Sequence, residues 1–160
     1  MEIRKGTLKD LEAIAAVEAA CFPAAEAATA EEFAERLQQY GDHFWLLWEG
    51  ERLLAFVDGF CTDWPDLTDE MYADAALHDE NGAWQMIFGV NTIPAYRKHG
   101  YAGELIKCAI EDARKQERKG LVLTCKDHLV HYYAKFGFEN EGVSESEHGG
   151  VKWNQMRLKF

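Results

Sequence analysis

The stretch "AWQMIFGV", Ala83–Val90, is a continuous apolar run of strand length. It predicts a central strand covered on both faces. "NTIPAY" ends the run, and "RKHGYAG" (Arg97–Gly103) opens an amphipathic helix. Ala102, Leu105, Ile106, Ala109, Ile110 and Ala113 recur at i, i+3, i+4, i+7 spacing, while Glu104, Lys107, Glu111, Arg114, Lys115 and Arg118 occupy the other face. Glu111 and Lys115 stand i,i+4 in the favourable order, and Gly120 is expected to close the helix. "LVLTC", Leu121–Cys125, then reads as another strand. Strand, helix and strand in this order predict an α/β (α+β) chain, with helices packed on a sheet. At 160 residues it suits a single domain, 1–160, with a full core.

The remaining elements fit that frame. "EIRKG" is a short first strand. Thr7 and Asp10 stand at capping-box spacing before a helix carrying Leu8, Leu11, Ile14 and Ala15. Pro23 marks a loop in "CFPAAEAAT", and Thr29 with Glu32 repeats the capping spacing before a helix with Phe33 and Leu37. Phe44–Trp48 and Leu53–Phe60 read as strands joined by a hairpin turn at Gly50. Residues 61–80 hold seven acids and no Lys or Arg, with a helix expected from Thr68 to about Leu77. Such a segment either steers an ammonium ion from a distance or forms a solvated face. "HLVHYYAKFGF" predicts a short helix broken at Gly137, before two last strands, Phe138–Val143 and Val151–Phe160.

The formal net charge of −11 argues against nucleic acid and anionic membranes as partners and is compatible with a cationic substrate. No apolar run has the roughly 20 residues of a membrane helix, and charges break up the N-terminus, so a cytoplasmic chain is expected. Cys21, Cys61, Cys108 and Cys125 form no CxxC pair and read as reduced thiols. The six histidines show no HExxH-like spacing, so no metal is expected.

The cationic turn in this acidic chain is the chemical signal. A helix N-terminus presents unpaired N–H groups and a partial positive charge, and Gly100 allows close approach or a positive φ. With Arg97, Lys98 and His99 it suits a phosphate or pyrophosphate. On its own, an R-x-x-G-x-A stretch is also an ordinary strand-to-helix turn with exposed basic residues. It is neither a Walker A loop nor a G-x-G-x-x-G turn.

The order of apolar strand, this turn, amphipathic helix, strand and "YYAKFGF" resembles the GNAT superfamily of N-acetyltransferases, in which R/Q-x-x-G-x-G/A holds the pyrophosphate of acetyl-CoA. "KDHLVHYYAKFGF" and "CFPAAEAAT" are similar to segments of the arylalkylamine (serotonin-type) N-acetyltransferases, and "DLTDEMYADAALH" loosely so. The resemblance spans nearly all of the chain. It implies a mixed central sheet of about six to seven strands, splayed between two central strands and flanked by about four helices. It further implies acetyl-CoA as co-substrate, bound by Phe88, Gly89 and Val90 at the pantetheine and by Arg97, Lys98, His99, Gly100, Tyr101 and Ala102 at the pyrophosphate. The acceptor would be a small primary amine, preferably an arylalkylamine, attacking the thioester directly in a ternary complex. The enzyme would be a monomer or a homodimer. A polyamine or aminoglycoside acetyltransferase, or a non-catalytic acyl-CoA sensor, are the alternatives.

The resemblance places Tyr133 as the acid that protonates the departing thiolate, with aromatic packing beside Phe136 and Phe138 as its other role. Trp84 and Met86 occupy the places of the family's two histidines, so that proton path is absent. Glu26, Asp58, His131 or a water chain would serve as base, with Glu26 preferred. Phe22, Trp64 and Trp84 would line an aromatic-tolerant pocket. Lys126 replaces an asparagine that contacts the coenzyme in many relatives.

Overall fold

A computed structural model describes residues 1–146 and 148–160. Four strands make the first sheet: β1 (Glu2–Lys5), β2 (Phe44–Glu49), β3 (Arg52–Asp58) and β6 (Gly89–Thr92), antiparallel in the order β1-β2-β3-β6. The second sheet has the order β4-β5-β7-β9-β8, with β4 (Cys61–Thr62), β5 (Trp84–Ile87), β7 (Gly120–Cys125), β8 (Glu139–Val143) and β9 (Asn154–Lys159). Among the described residues only β5 and β7 pair in parallel, with Trp84 opposite Gly120 and Ile87 opposite Leu123. Five α-helices flank the sheets: α1 (Leu11–Cys21), α2 (Ala30–Tyr40), α3 (Asp69–Ala73), α4 (Tyr101–Lys115) and α5 (Val130–Ala134).

The strand run "FWLLW" is large and apolar because both faces are covered. Phe44, Leu46 and Trp48 belong to one core with Ile14 and Val17 of α1 and Phe33 and Leu37 of α2. Trp45 and Leu47 alternate to the other core, against Leu105, Ile106, Ala109 and Ala113 of α4. The α2 cap is reciprocal: Glu32 N–H donates to Thr29 Oγ1 at 3.1 Å and Thr29 N–H to Glu32 Oε1 at 3.0 Å. At the other predicted cap, Thr7 N–H bonds Asp10 (2.9 Å), but this side chain also takes both arms of Arg4, at 3.0 and 3.1 Å, and a 3-10 turn precedes α1.

Two elements differ from the sequence reading in ways that matter. The apolar run at 83–90 is not one ladder. It changes sheets at Phe88, whose N–H bonds Asp58 O at 2.7 Å, so β5 stays beside β7 while β6 turns to pair with β3. Beyond Ile87 and Leu123 the two strands part, which is the expected splay. The helix at 101–115 is closed by Gln116 and a left-handed Glu117 (φ 60°), with Arg118 N–H reaching back to Ala113 O at 3.1 Å. Gly120 is instead the first residue of β7. The acidic helix is shorter than expected, α3 followed by a 3-10 turn at Ala75–Leu77.

Among the described residues no helix is long and apolar enough to cross a membrane.

Candidate active site

The parting of β6 and β7 opens a cleft of about 540 Å³, within the range of small-molecule sites. Phe88, Gly89, Val90 and Thr92 form one wall and Leu123, Thr124, Cys125 and Lys126 the other. Because β6 is the last strand of its sheet, its outer edge has no strand partner among the described residues and borders this gap. Every residue expected to hold the coenzyme, except His99, lines the cleft.

At one end stands the turn before α4. Lys98 (φ 69°) and Gly100 (φ 80°) are both left-handed, with His99 between them, and Gly100 caps α4 without a side-chain hydrogen bond. Left-handed residues near a helix start aim successive N–H groups at one point, an anion-binding concavity. His99 stacks on Tyr101, ring centroids 5.5 Å apart. The Arg97 side chain turns back, its Nε donating to Thr92 O at 3.0 Å, and so braces the turn against the end of β6.

Tyr133 lies on α5, buried, and lines the cleft. Its ring meets Tyr132 and Phe138 edge-on at 5.1 and 6.2 Å, so of the packing read from sequence the Phe138 contact is present. Burial raises its phenol far above the ordinary value, with Cys125 and Tyr132 adding to the effect, so it holds its proton. Tyr132 is placed differently. Its hydroxyl lies 3.8 Å from where a Cβ on Gly103 would project, beside the first turn of α4.

The candidate bases separate clearly. Glu26 lines the cleft, but its carboxylate is ion-paired to Lys126 Nζ at 2.8 Å. Lys126, the residue in place of the family's asparagine, therefore ties the first loop to the end of β7. Asp58 is fully buried and paired to Arg36 at 3.0 Å. His131 is exposed on α5 and does not line the cleft. Of the expected aromatics only Phe22 lines it: Trp64 is 59% exposed, and Trp84 is buried beneath the Arg157 guanidinium at 4.6 Å. Phe88, Tyr72, Tyr132 and Trp153 supply the aromatic lining instead.

Sequence reasoning misses Glu18. This α1 residue lines the cleft although it is only 6% exposed. Its Oε2 accepts the Ala28 N–H at 2.9 Å. Burial pushes its carboxyl up to about 7, against the pull of that bond and of Arg36, and the Asp58 charge pushes the same way. A carboxyl poised near neutrality in a cleft marks a candidate acid or base. The available signal is its position: Glu18 follows Ile14 by four residues and so falls on the apolar face of α1.

His43, His78 and Glu80 form a separate cluster, with one donor atom each within 4.8 Å of one another. His78 Nδ1 accepts the Cys61 N–H at 3.1 Å, so its ring proton is on Nε2, which donates to Glu80 at 3.0 Å. Glu80 also takes Arg118 at 3.0 Å. A protonated Nε2 has no lone pair for a metal, and the trio forms a hydrogen-bonded network that, with the Arg118–Glu80 ion pair, fastens the acidic segment.

Residues 11–138 match the model of the acetyltransferase (GNAT) family, and the chain belongs to that family. No curated protein matched the chain. Among solved structures it is similar to the loading GNATL domain of CurA from Lyngbya majuscula, with a TM-score of 0.85 at 13% identity over 99% of this chain and 96% of that one. It is also similar to the GphF GNAT-like decarboxylase in complex with isobutyryl-CoA, with a TM-score of 0.85 at 20% identity over 99% of each chain. The ribosomal-protein-S18-alanine N-acetyltransferase of Escherichia coli gives a TM-score of 0.73 at 16% identity, over 99% and 92%. At these identities the likeness concerns the fold.

Proposed function

We propose that the protein transfers acetyl from acetyl-CoA to a small primary amine, by direct attack in a ternary complex. The observation that carries this reading is a single cleft holding a carboxyl poised at about 7, Glu18, and a phenol that burial keeps protonated at rest, Tyr133. Acetyl-CoA fits the cleft's polarity. Its pyrophosphate meets the N–H groups from Lys98 to Ala102, and its pantetheine amides pair with the open edge of β6 at Phe88–Val90.

In the reaction Glu18 takes a proton from the acceptor's ammonium group. The amine lone pair then attacks the thioester carbonyl carbon, the C–S bond breaks as Tyr133 gives its proton to the leaving thiolate, and the acylated nitrogen loses its second proton to the Tyr133 phenolate. A phenol with a raised pKa stays protonated until the thiolate develops, and as a strongly basic phenolate it at once takes the proton from the acylated nitrogen, while Glu18 returns its own proton to solvent as the products leave. We assign the base to Glu18 rather than Glu26, because an ion pair with Lys126 holds Glu26 as part of the cleft wall. An arylalkylamine remains the preferred acceptor, supported by Phe22, Tyr72, Phe88 and Trp153 along the cleft.

The test is mass spectrometry of amine products after incubation with acetyl-CoA and a panel of tyramine, tryptamine, spermidine, an aminoglycoside and a peptide with a free N-terminus. Acetyl-tyramine or acetyl-tryptamine, lost in Tyr133→Phe, is the expected result. Product from spermidine or the peptide alone would overturn the arylalkylamine assignment. Acetyl-CoA binding with no amine product would overturn the transferase reading and favour a sensor.

A further inference from the structure

The residues behind the cleft wall at Gly89 are polar and buried, and they do not complete one another's hydrogen bonds. Asp58 is 0%, Asn91 1%, Arg36 3% and Glu18 6% exposed. Arg36 Nη1 donates to Asp58 Oδ2 at 3.0 Å, and Nη2 to Tyr72 O at 2.8 Å. Among the described residues, Glu18 Oε1, Asp58 Oδ1, Arg36 Nε and both amide atoms of Asn91 lack a well-formed hydrogen bond, although Asn91 stands close enough to Glu18 to pull its carboxyl down. Leaving so many buried polar atoms unsatisfied is costly, so a group of matching polarity is called for.

Three of these atoms converge on one spot. A Cβ added to Gly89 would lie 2.9 Å from Asp58 Oδ1, 3.0 Å from Asn91 Nδ2 and 3.7 Å from Glu18 Oε1. Gly89 itself belongs to the cleft wall, as do Glu18 and Arg36. The charges decide what the cluster wants. Asp58 and Arg36 cancel as an ion pair, so an ionised Glu18 leaves it one positive charge short. A proton on Glu18 meets the need when the cleft is empty of amine. A cation that reaches Glu18 from the cleft meets it equally well.

We propose that Glu18, backed by Asn91 and the Asp58–Arg36 pair beside Gly89, forms the binding site for the acceptor's ammonium group. This rests on the amine reading and narrows it: the acceptor binds as a cation, and binding exchanges one positive charge for another. The amine then passes its proton to Glu18 within a cluster whose total charge does not change. Buried charge is expensive to create, so a transfer that conserves it lowers the cost of making the neutral nucleophile. Glu18 contacts the acceptor; Asn91 and Asp58 are positioning residues that act through it.

The exchange has a signature separate from turnover. Tyramine is titrated calorimetrically into the CoA-bound wild-type protein, where no acetyl transfer can occur, in buffers of different ionisation enthalpy. At about pH 6 Glu18 must lose its proton to receive the ammonium, so binding should release about one proton; at about pH 8.5 it should release about none. Glu18→Gln should bind tyramine at least about tenfold more weakly and release no proton at either pH. Tyramine binding with no proton release at the lower pH, or release undiminished in Glu18→Gln, overturns the ammonium site while leaving the transferase reading intact if product forms. No tyramine binding, with no product from any amine, overturns both.

Discussion

Glu18 answers two opposed demands. Its burial raises the carboxyl to about 7, which suits a base but means that the folded state prefers the protonated form. For a carboxyl raised above its ordinary value, the stability contribution is complete below that value, about 4.3, and is lost as pH rises through about 7. Glu18→Gln keeps an oxygen for the Ala28 N–H and removes the ionisation. This variant should therefore unfold at a higher temperature than wild type at about pH 8.5, by on the order of 3 kcal/mol of stability, and match it at about pH 5. Its turnover should fall about 10²-fold or more. A denaturation series against pH checks the first expectation and steady-state rates the second. Tyr133→Phe should lose turnover by a similar factor while leaving acetyl-CoA affinity within about threefold, measured by calorimetry, because in the proposed reaction the phenol acts on the leaving thiolate, and its ring packing is retained. Tyr133 is legible in the sequence because "YYAKFGF" is a specific pattern. Glu18 is not, because a lone acid in "IAAVEAAC" differs from a solvated one only by the face it falls on. The groups that make that face matter, Asp58, Arg36 and Asn91, come from three other elements.

At the scale of elements, the start of the helix after the motif is legible, because its stripe follows the helical period and its N-cap is a glycine, whereas its end at Lys115 falls short of the expected Gly120. The N-cap glycine carries a prediction. Gly100 has φ 80° and a Cβ there would meet no atom within 4 Å, so Gly100→Ala tests backbone strain alone. It should cost about 1–2 kcal/mol if the left-handed turn is kept. If the turn relaxes instead, acetyl-CoA should bind at least about tenfold more weakly, and calorimetry with a melting curve reads both. The central strand is less legible. Periodicity cannot tell a strand that stays in one sheet from one that crosses to another, and "AWQMIFGV" changes sheets at Phe88 because of a bond to the Asp58 carbonyl, from the end of β3. That crossing makes the cleft, and only the resemblance to a splayed fold anticipates it.

Across the whole molecule, part of the acidity is tied up in bonds within the chain. Glu80 fastens to His43, His78 and Arg118, Asp66 to Arg157, and Asp63 and Asp74 to backbone N–H groups. From sequence the segment at 61–80 is a possible long-range attractor of cations; these bonds make it a brace as well, and the carboxyl proposed to bind the ammonium group lies elsewhere, on α1. Burial opposes ionisation of Asp10, Asp112 and Glu80, but Arg4 on the first, Lys5 and Trp45 on the second and the two histidines on the third hold each below its ordinary value. A depressed carboxyl stabilises above its ordinary value and loses that contribution as pH falls through the folded value. Stability should accordingly drop steeply below about pH 4, followed by circular dichroism, and Glu80→Gln should shift that acid transition to higher pH.

The measurement that bears most directly on the site is the pH dependence of kcat/KM for amine acetylation by wild type and Glu18→Gln. Wild type should rise to a plateau with an apparent pKa of about 7, then fall only where the amine itself loses its ammonium proton, at about 10. The rise at about 7 should vanish in Glu18→Gln along with most of the rate. A wild-type profile flat through that range, or one that keeps its rise in Glu18→Gln, would contradict Glu18 as the base and, with it, the proton path proposed for the cleft.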